Sequence, residues 1–93
     1  MSQQAVHVRI VGRVQGVWYR GWTVDEATSL GLSGWVRNRR DGSVEAVFSG
    51  NQSAIDQMIE KCRIGPHSAR VDQVLVELEN NEVQPGFNQL PTD

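Results

Sequence analysis

A chain of 93 residues with 39% hydrophobic and 22% charged side chains has the size and mix of one folded domain, which excludes an extended disordered chain. A single cysteine, Cys62, excludes an internal disulfide and a multi-cysteine zinc site. No apolar run approaches the ~20 residues of a membrane span, and the polar start Met1–Ala5 leads us to expect no leader and no anchor. The formal charge of -2 is uneven: six arginines against Asp25 and Glu26 make residues 1–40 +4, while Lys61, Arg63 and Arg70 against nine carboxylates make residues 41–93 -6, a pattern that fits a local anion site better than a broad nucleic-acid surface.

Ala5–Gly12 alternates Val6, Val8 and Ile10 with His7 and Arg9, the pattern of a half-buried strand. Gly12 and Gly16 break the alternation, so Arg13–Arg20 reads as a loop. Thr23-Val24-Asp25-Glu26 has the form of a capping box, with Trp22 placed to staple onto Ala27, and predicts an amphipathic helix of about ten residues that ends at Gly31. Gly34–Arg40 and Ser43–Ser49 flank Asp41-Gly42, which predicts a hairpin with a type I′ turn. Ile55, Met58, Ile59 and Cys62 make one apolar stripe on a second helix over Ser53–Arg63, stopped by Gly65-Pro66. Val71–Glu79 alternates again, with Val74, Val76 and Leu78 expected inward. The order strand, helix, strand, strand, helix, strand is the split βαβ plan, an α+β ferredoxin-like sandwich with both helices on one face of an antiparallel sheet of four to five strands. One domain is expected over 1–93, its core spanning about 5–79, with 80–93 a tail that frays or adds a short edge strand.

The segment Gly12-Arg13-Val14-Gln15-Gly16-Val17-Trp18-Tyr19-Arg20 lies between a strand and a helix. A glycine-bearing loop there turns backbone N–H groups inward beside a helix N-terminus, and Arg20 stands where it can close on a phosphate or carboxylate. A tight turn with a surface arginine explains the segment alone equally well. In the split βαβ plan the first two strands are parallel and lie roughly 10 Å apart, so the loop and Asn38 share one edge of the sheet. Asn38 offers a donor and an acceptor without a change of charge, which suits holding a water; a local turn contact is its other reading. His7 and His67 have no metal partners, Cys62 belongs to an apolar stripe, and Trp35 reads as packed. Trp18, beside the loop, is a candidate wall for the rest of a ligand.

At this point the residues match a family. Ile10-Val11-Gly12-Arg13-Val14-Gln15-Gly16-Val17-Trp18-Tyr19-Arg20 resembles the first signature of the acylphosphatases, and Gly34-Trp35-Val36-Arg37-Asn38 with Gly42, Val44 and Gly50 resembles their second at every spacing. The likeness runs from about Val6 to Val76. Tyr19 stands where Phe or Met is usual and is read as a ring at the loop's apolar edge. The ending Gly86-Phe87-Asn88-Gln89-Leu90 departs from the usual apolar-then-Arg pattern, which leaves a fifth strand open.

The resemblance implies hydrolysis of the carboxyl–phosphate bond of small acyl phosphates, with inorganic phosphate as product and no metal or cofactor. Carried over residue by residue, Gln15, Gly16, Val17, Trp18, Tyr19 and Arg20 hold the phosphoryl group and Asn38 orients the water. A cytoplasmic monomer without nucleic-acid or membrane partners is expected. The competing reading is a ferredoxin-like module that binds RNA or a phosphate ligand without hydrolysis; the RNA form needs aromatic side chains on the open sheet face.

Overall fold

The computed structural model describes residues 3–93; Met1 and Ser2, the first part of the polar start, lie outside the described residues. The elements are β1 (Gln3–Arg13), α1 (Tyr19–Ser29), β2 (Ser33–Asn38), β3 (Val44–Asn51), α2 (Gln52–Ile64), β4 (Arg70–Leu78) and β5 (Phe87–Gln89). They form one sheet of order β4-β1-β3-β2-β5. The four longer strands pair antiparallel, as the split βαβ plan requires.

The tail corrects the expected sheet. β5 pairs parallel with β2, so the sheet is mixed rather than antiparallel. The reason is topological. β4 finishes opposite Val6, at the end of the sheet where β2 also begins, so a link that crosses this end starts β5 level with β2 and sends it in the same direction. Phe87 then stacks on Phe48, with centroids 5.5 Å apart, and Leu90 N–H donates to the Val36 carbonyl at 2.8 Å.

Alternation places Val6, Val8, Ile10, Val36, Val44, Ala46 and Phe48 on one face, where they pack against Ala27 of α1 and Ile55, Met58 and Cys62 of α2. Val74 joins this core. Val76 and Leu78 occupy the inward register but are 40% and 73% exposed, contrary to expectation, because β4 is an edge strand with no neighbour on its outer flank. Among the described residues no helix is long and apolar enough to cross a membrane.

Two local readings change. α1 begins at Tyr19, four residues before the expected cap, and Thr23 lies inside it: its hydroxyl donates to the Tyr19 carbonyl at 2.8 Å instead of capping. Trp22 packs on the edge of Tyr19 at 5.2 Å. The end of α1 follows the sequence, with Leu32 N–H donating to Ala27 O and Gly31 N–H to Thr28 O. The hairpin exists, but its turn is not type I′. Gly42 N–H donates to Arg39 O and only Gly42, at φ 96°, is left-handed, while Asp41 accepts from Ser43 N–H and keeps negative φ. α2 is capped by Asn51, whose side chain accepts from Ala54 N–H.

The open sheet face carries paired charges. Glu45 receives His7 at 2.5 Å, Arg37 at 2.8 Å and Arg39 at 3.2 Å, while Arg9 pairs with Asp41. Burial pushes the Glu45 carboxyl up, but the hydrogen bonds and charges of His7 and Arg37 outweigh it and hold the group below its ordinary value. A carboxyl depressed by folding contributes stability above the ordinary carboxylate range and loses it as pH falls through the folded value. Urea midpoints of the wild type and Glu45→Gln should therefore differ most at neutral pH and converge in strong acid; a gap that stays constant with pH would show that Glu45 ionisation is not linked to folding.

Candidate active site

The turn from β1 into α1 contains two left-handed residues: Gly16 at φ 75° and Trp18 at φ 68°, ψ 22°. This region costs a residue with a Cβ roughly 1–2 kcal/mol, and Trp18 is the only non-glycine residue with positive φ among the described residues. The conformation starts α1 abruptly. Among the described residues no side chain caps the helix, and its first bond runs from Trp22 N–H to Trp18 O at 3.0 Å. The N–H groups of Trp18, Tyr19, Arg20 and Gly21 thus have no acceptor within the helix and lie at the positive end of its dipole. The Trp18 indole folds back over Gly21, where a Cβ would come within 2.1 Å of Nε1.

This helix start opens on a cavity of about 150 Å³, lined by Val14, Gly16, Trp18, Tyr19, Arg20, Gly21, Asn38 and Gln89. Pockets for drug-sized ligands are typically about 300–1,000 Å³, so this one has room for no more than a small group, and the 63% exposed Trp18 ring stands at its rim. Among the described residues, no carboxylate, histidine or cysteine lines it.

Arg20 is half-buried, and among the described residues no carboxylate lies within ion-pair distance of it. Its charge is free for an anion. Asn38 closes β2 with only 9% of its surface exposed, and its Oδ1 is buried with no hydrogen-bond partner among the described residues. A buried acceptor left unpaired costs about 1–3 kcal/mol, so this atom is poised to accept from a ligand or water. Its backbone is held from behind, because Asp93 N–H donates to Asn38 O at 3.1 Å.

Of the expected site residues, the cavity brings together Gly16, Trp18, Tyr19, Arg20 and Asn38. Gln15 and Val17 do not line it. Both amide hydrogens of Gln15 are spent on the hairpin, with Nε2 donating to Arg39 O at 2.7 Å and Ser43 O at 2.8 Å, which ties the loop to the turn beside Asn38. Val17 packs on the core. Val14, Gly21 and Gln89 were not among the expected site residues. Val14 and Gly21 are neighbours of the motif; Gln89 comes from the tail, and its only signal was the departure from the usual ending.

Tyr19 packs into the hydrophobic core where the loop enters α1, as expected of a ring on the loop's apolar side, and it is 1% exposed. The sequence did not show that its hydroxyl donates to Cys62 O at 2.6 Å, fastening the start of α1 to the last turn of α2. Burial raises its phenol above the ordinary value and pushes the Cys62 thiol up to about 12, so neither group ionises near neutral pH.

An uncapped helix terminus beside an unpaired guanidinium, on a ferredoxin-like α+β frame, has the make-up of a small domain suited to an anion, and relatives narrow the class. The family model for acylphosphatase matches residues 6–89. A Rhodospirillum rubrum protein named acylphosphatase is 59% identical over 85 residues, spanning 91% of this chain and 93% of its own length. Solved acylphosphatase structures from Coxiella burnetii and Bacillus subtilis give TM-scores of 0.91 and 0.90 at 34% and 30% identity, over 95% and 96% of this chain and 93% and 99% of theirs. The chain belongs to the acylphosphatase family. It is an enzyme, and its reaction is the hydrolysis of acyl phosphates to a carboxylate and inorganic phosphate.

Removing the Tyr19 hydroxyl tests the anchor beneath the site. Tyr19→Phe keeps the ring but strips a buried carbonyl of its donor, and should lower stability by about 1–2 kcal/mol in urea titrations. An unchanged midpoint would show that this bond contributes nothing to holding α1 on α2.

Proposed function

We propose that the phosphoryl group of the substrate sits on the start of α1, held by the N–H groups of the Gly16–Gly21 segment and the Arg20 guanidinium, with the attacking water held by Asn38. One observation carries this reading: the unpaired cation, the uncapped helix terminus and the unpartnered Oδ1 of Asn38 meet in a single small cavity.

The chemistry asks little more of the protein. Water oxygen bonds to phosphorus, the bond from phosphorus to the acyl oxygen breaks, and the electron pair leaves with a carboxylate that needs no proton. One water proton passes to a phosphoryl oxygen, giving inorganic phosphate. Phosphoryl transfer of this kind rests on positioning and on stabilising the charge of the equatorial oxygens. Backbone N–H groups and a guanidinium supply that stabilisation, so the reaction proceeds without metal or cofactor.

The open face argues against the RNA-binding alternative. Arg9, Arg37 and Arg39 are committed to Asp41, Glu45 and Asp93, Phe48 is buried beneath the helices, and Trp35 is covered by the Arg37 guanidinium at 4.8 Å. We accordingly read the chain as a single catalytic domain that acts as a cytoplasmic monomer on small acyl phosphates, with no nucleic-acid or membrane partner.

Kinetics with benzoyl phosphate, and inhibition by inorganic phosphate, separate the two roles. Arg20→Ala should lose about 10²–10³-fold in turnover and weaken phosphate inhibition, because the cradle loses its counter-charge. Asn38→Ala should lose turnover by a similar factor while phosphate still inhibits. Phosphate inhibition unchanged in Arg20→Ala, or wild-type turnover in Asn38→Ala, would overturn the corresponding assignment.

A further inference from the structure

We propose that Gln89 is a further catalytic residue, a second carboxamide that fixes the attacking water opposite Asn38. This rests on the placement of the phosphoryl group and of Asn38 given above.

The placement of Gln89 follows from the sheet. β5 pairs Phe87 with Gly34 and Gln89 with Val36, and β2 in turn pairs Gly34 with Phe48 and Asn38 with Val44. Alternation therefore puts Phe87, Gln89, Val36 and Asn38 on the helix side of the sheet. Phe87 spends that orientation on the core, and Gln89, two residues on, lines the cavity with Asn38 and Arg20. Along the strand Gln89 stands roughly 7 Å behind the level of Asn38 and about 5 Å to its side. A glutamine, one methylene longer than asparagine, suits that offset. Its side chain makes no hydrogen bond to any other described residue, whereas Gln15, the other glutamine near the site, has both amide hydrogens engaged.

A water aligned for in-line attack has four directions to satisfy. One lone pair faces phosphorus, and one hydrogen faces the phosphoryl oxygen that receives it. The second hydrogen goes to Asn38 Oδ1, the buried acceptor without a partner. The remaining lone pair needs a donor, and among the described residues Gln89 Nε2 is the one side-chain N–H lining the cavity besides those of Arg20, Asn38 and the Trp18 indole. Trp18 Nε1 is turned back onto Gly21, Arg20 serves the phosphoryl charge, and Asn38 already serves the water. Being neutral, Gln89 adds no repulsion toward the incoming anion.

Gln89→Leu keeps the size and removes the donor. With benzoyl phosphate it should lower kcat about 10- to 100-fold, with KM and the inhibition constant of inorganic phosphate within about twofold of wild type. Asn88→Leu, on the same strand but facing the open side, is the control for loss of β5 and should keep wild-type kcat. Unchanged kcat in Gln89→Leu, an equal fall in kcat and in phosphate affinity, or an equal fall in kcat for both variants would each overturn the proposal. Full turnover in Gln89→Leu alongside lost turnover in Asn38→Ala would remove Gln89 alone; full turnover in both would remove the Asn38 role and this one together.

Discussion

The proposed phosphoryl site depends first on four backbone N–H groups, those of Trp18, Tyr19, Arg20 and Gly21, that α1 cannot satisfy by itself. A helix that began gradually, with a serine or aspartate cap, would spend these donors internally. Here the chain enters α1 through left-handed Gly16 and Trp18, and the donors stay free. The surrounding contacts hold this arrangement from three directions. Tyr19 is pinned to the end of α2 through Cys62 O, Gln15 is pinned to the hairpin through Arg39 O and Ser43 O, and the Trp18 ring rests where Gly21 leaves room. The strain of one left-handed tryptophan is thus offset by packing outside the cavity.

The sheet separates two uses of charge. On its open face, arginines are neutralised by Glu45, Asp41 and Asp93 and serve the fold. At the α1 start on the helix side, Arg20 has no such partner among the described residues. This division fits a chain of net charge -2 with a basic first half: Arg9, Arg37 and Arg39 are answered by carboxylates of the second half, Asp41, Glu45 and Asp93, and the remainder includes the cation at the cavity. Asp93 adds a link between the two faces, since its carboxylate lies 3.4 Å from both Arg37 and Arg39 while its N–H holds the carbonyl of Asn38.

Much of this was legible in the chain because it is local. Period-two alternation marked β1 and β4, the stripe Ile55, Met58, Ile59 and Cys62 marked α2, and Gly31 marked the end of α1. What misled was local too: Thr23-Val24-Asp25-Glu26 has the composition of a cap, but the abrupt start set by Trp18 had already begun the helix, so Thr23 turned its hydroxyl back to Tyr19 O. The tail was illegible for the opposite reason. β5 is three residues long and exists through the stacking of Phe87 on Phe48 and through backbone bonds to β2, contacts some forty to fifty residues distant that leave no periodic trace. Gln89 was missed with it, because a residue's place beside Asn38 is a property of the sheet order rather than of its neighbours in sequence.

The claim that these helix-start N–H groups are the phosphoryl cradle is tested most directly by following the backbone amide resonances of the ¹⁵N-labelled protein as inorganic phosphate is added. The account predicts that the largest shifts fall on the amides of Gly16 to Gly21, with the Arg20 side-chain resonance moving alongside them. Saturable binding whose largest shifts lie elsewhere, with the Gly16–Gly21 amides unmoved, would contradict it.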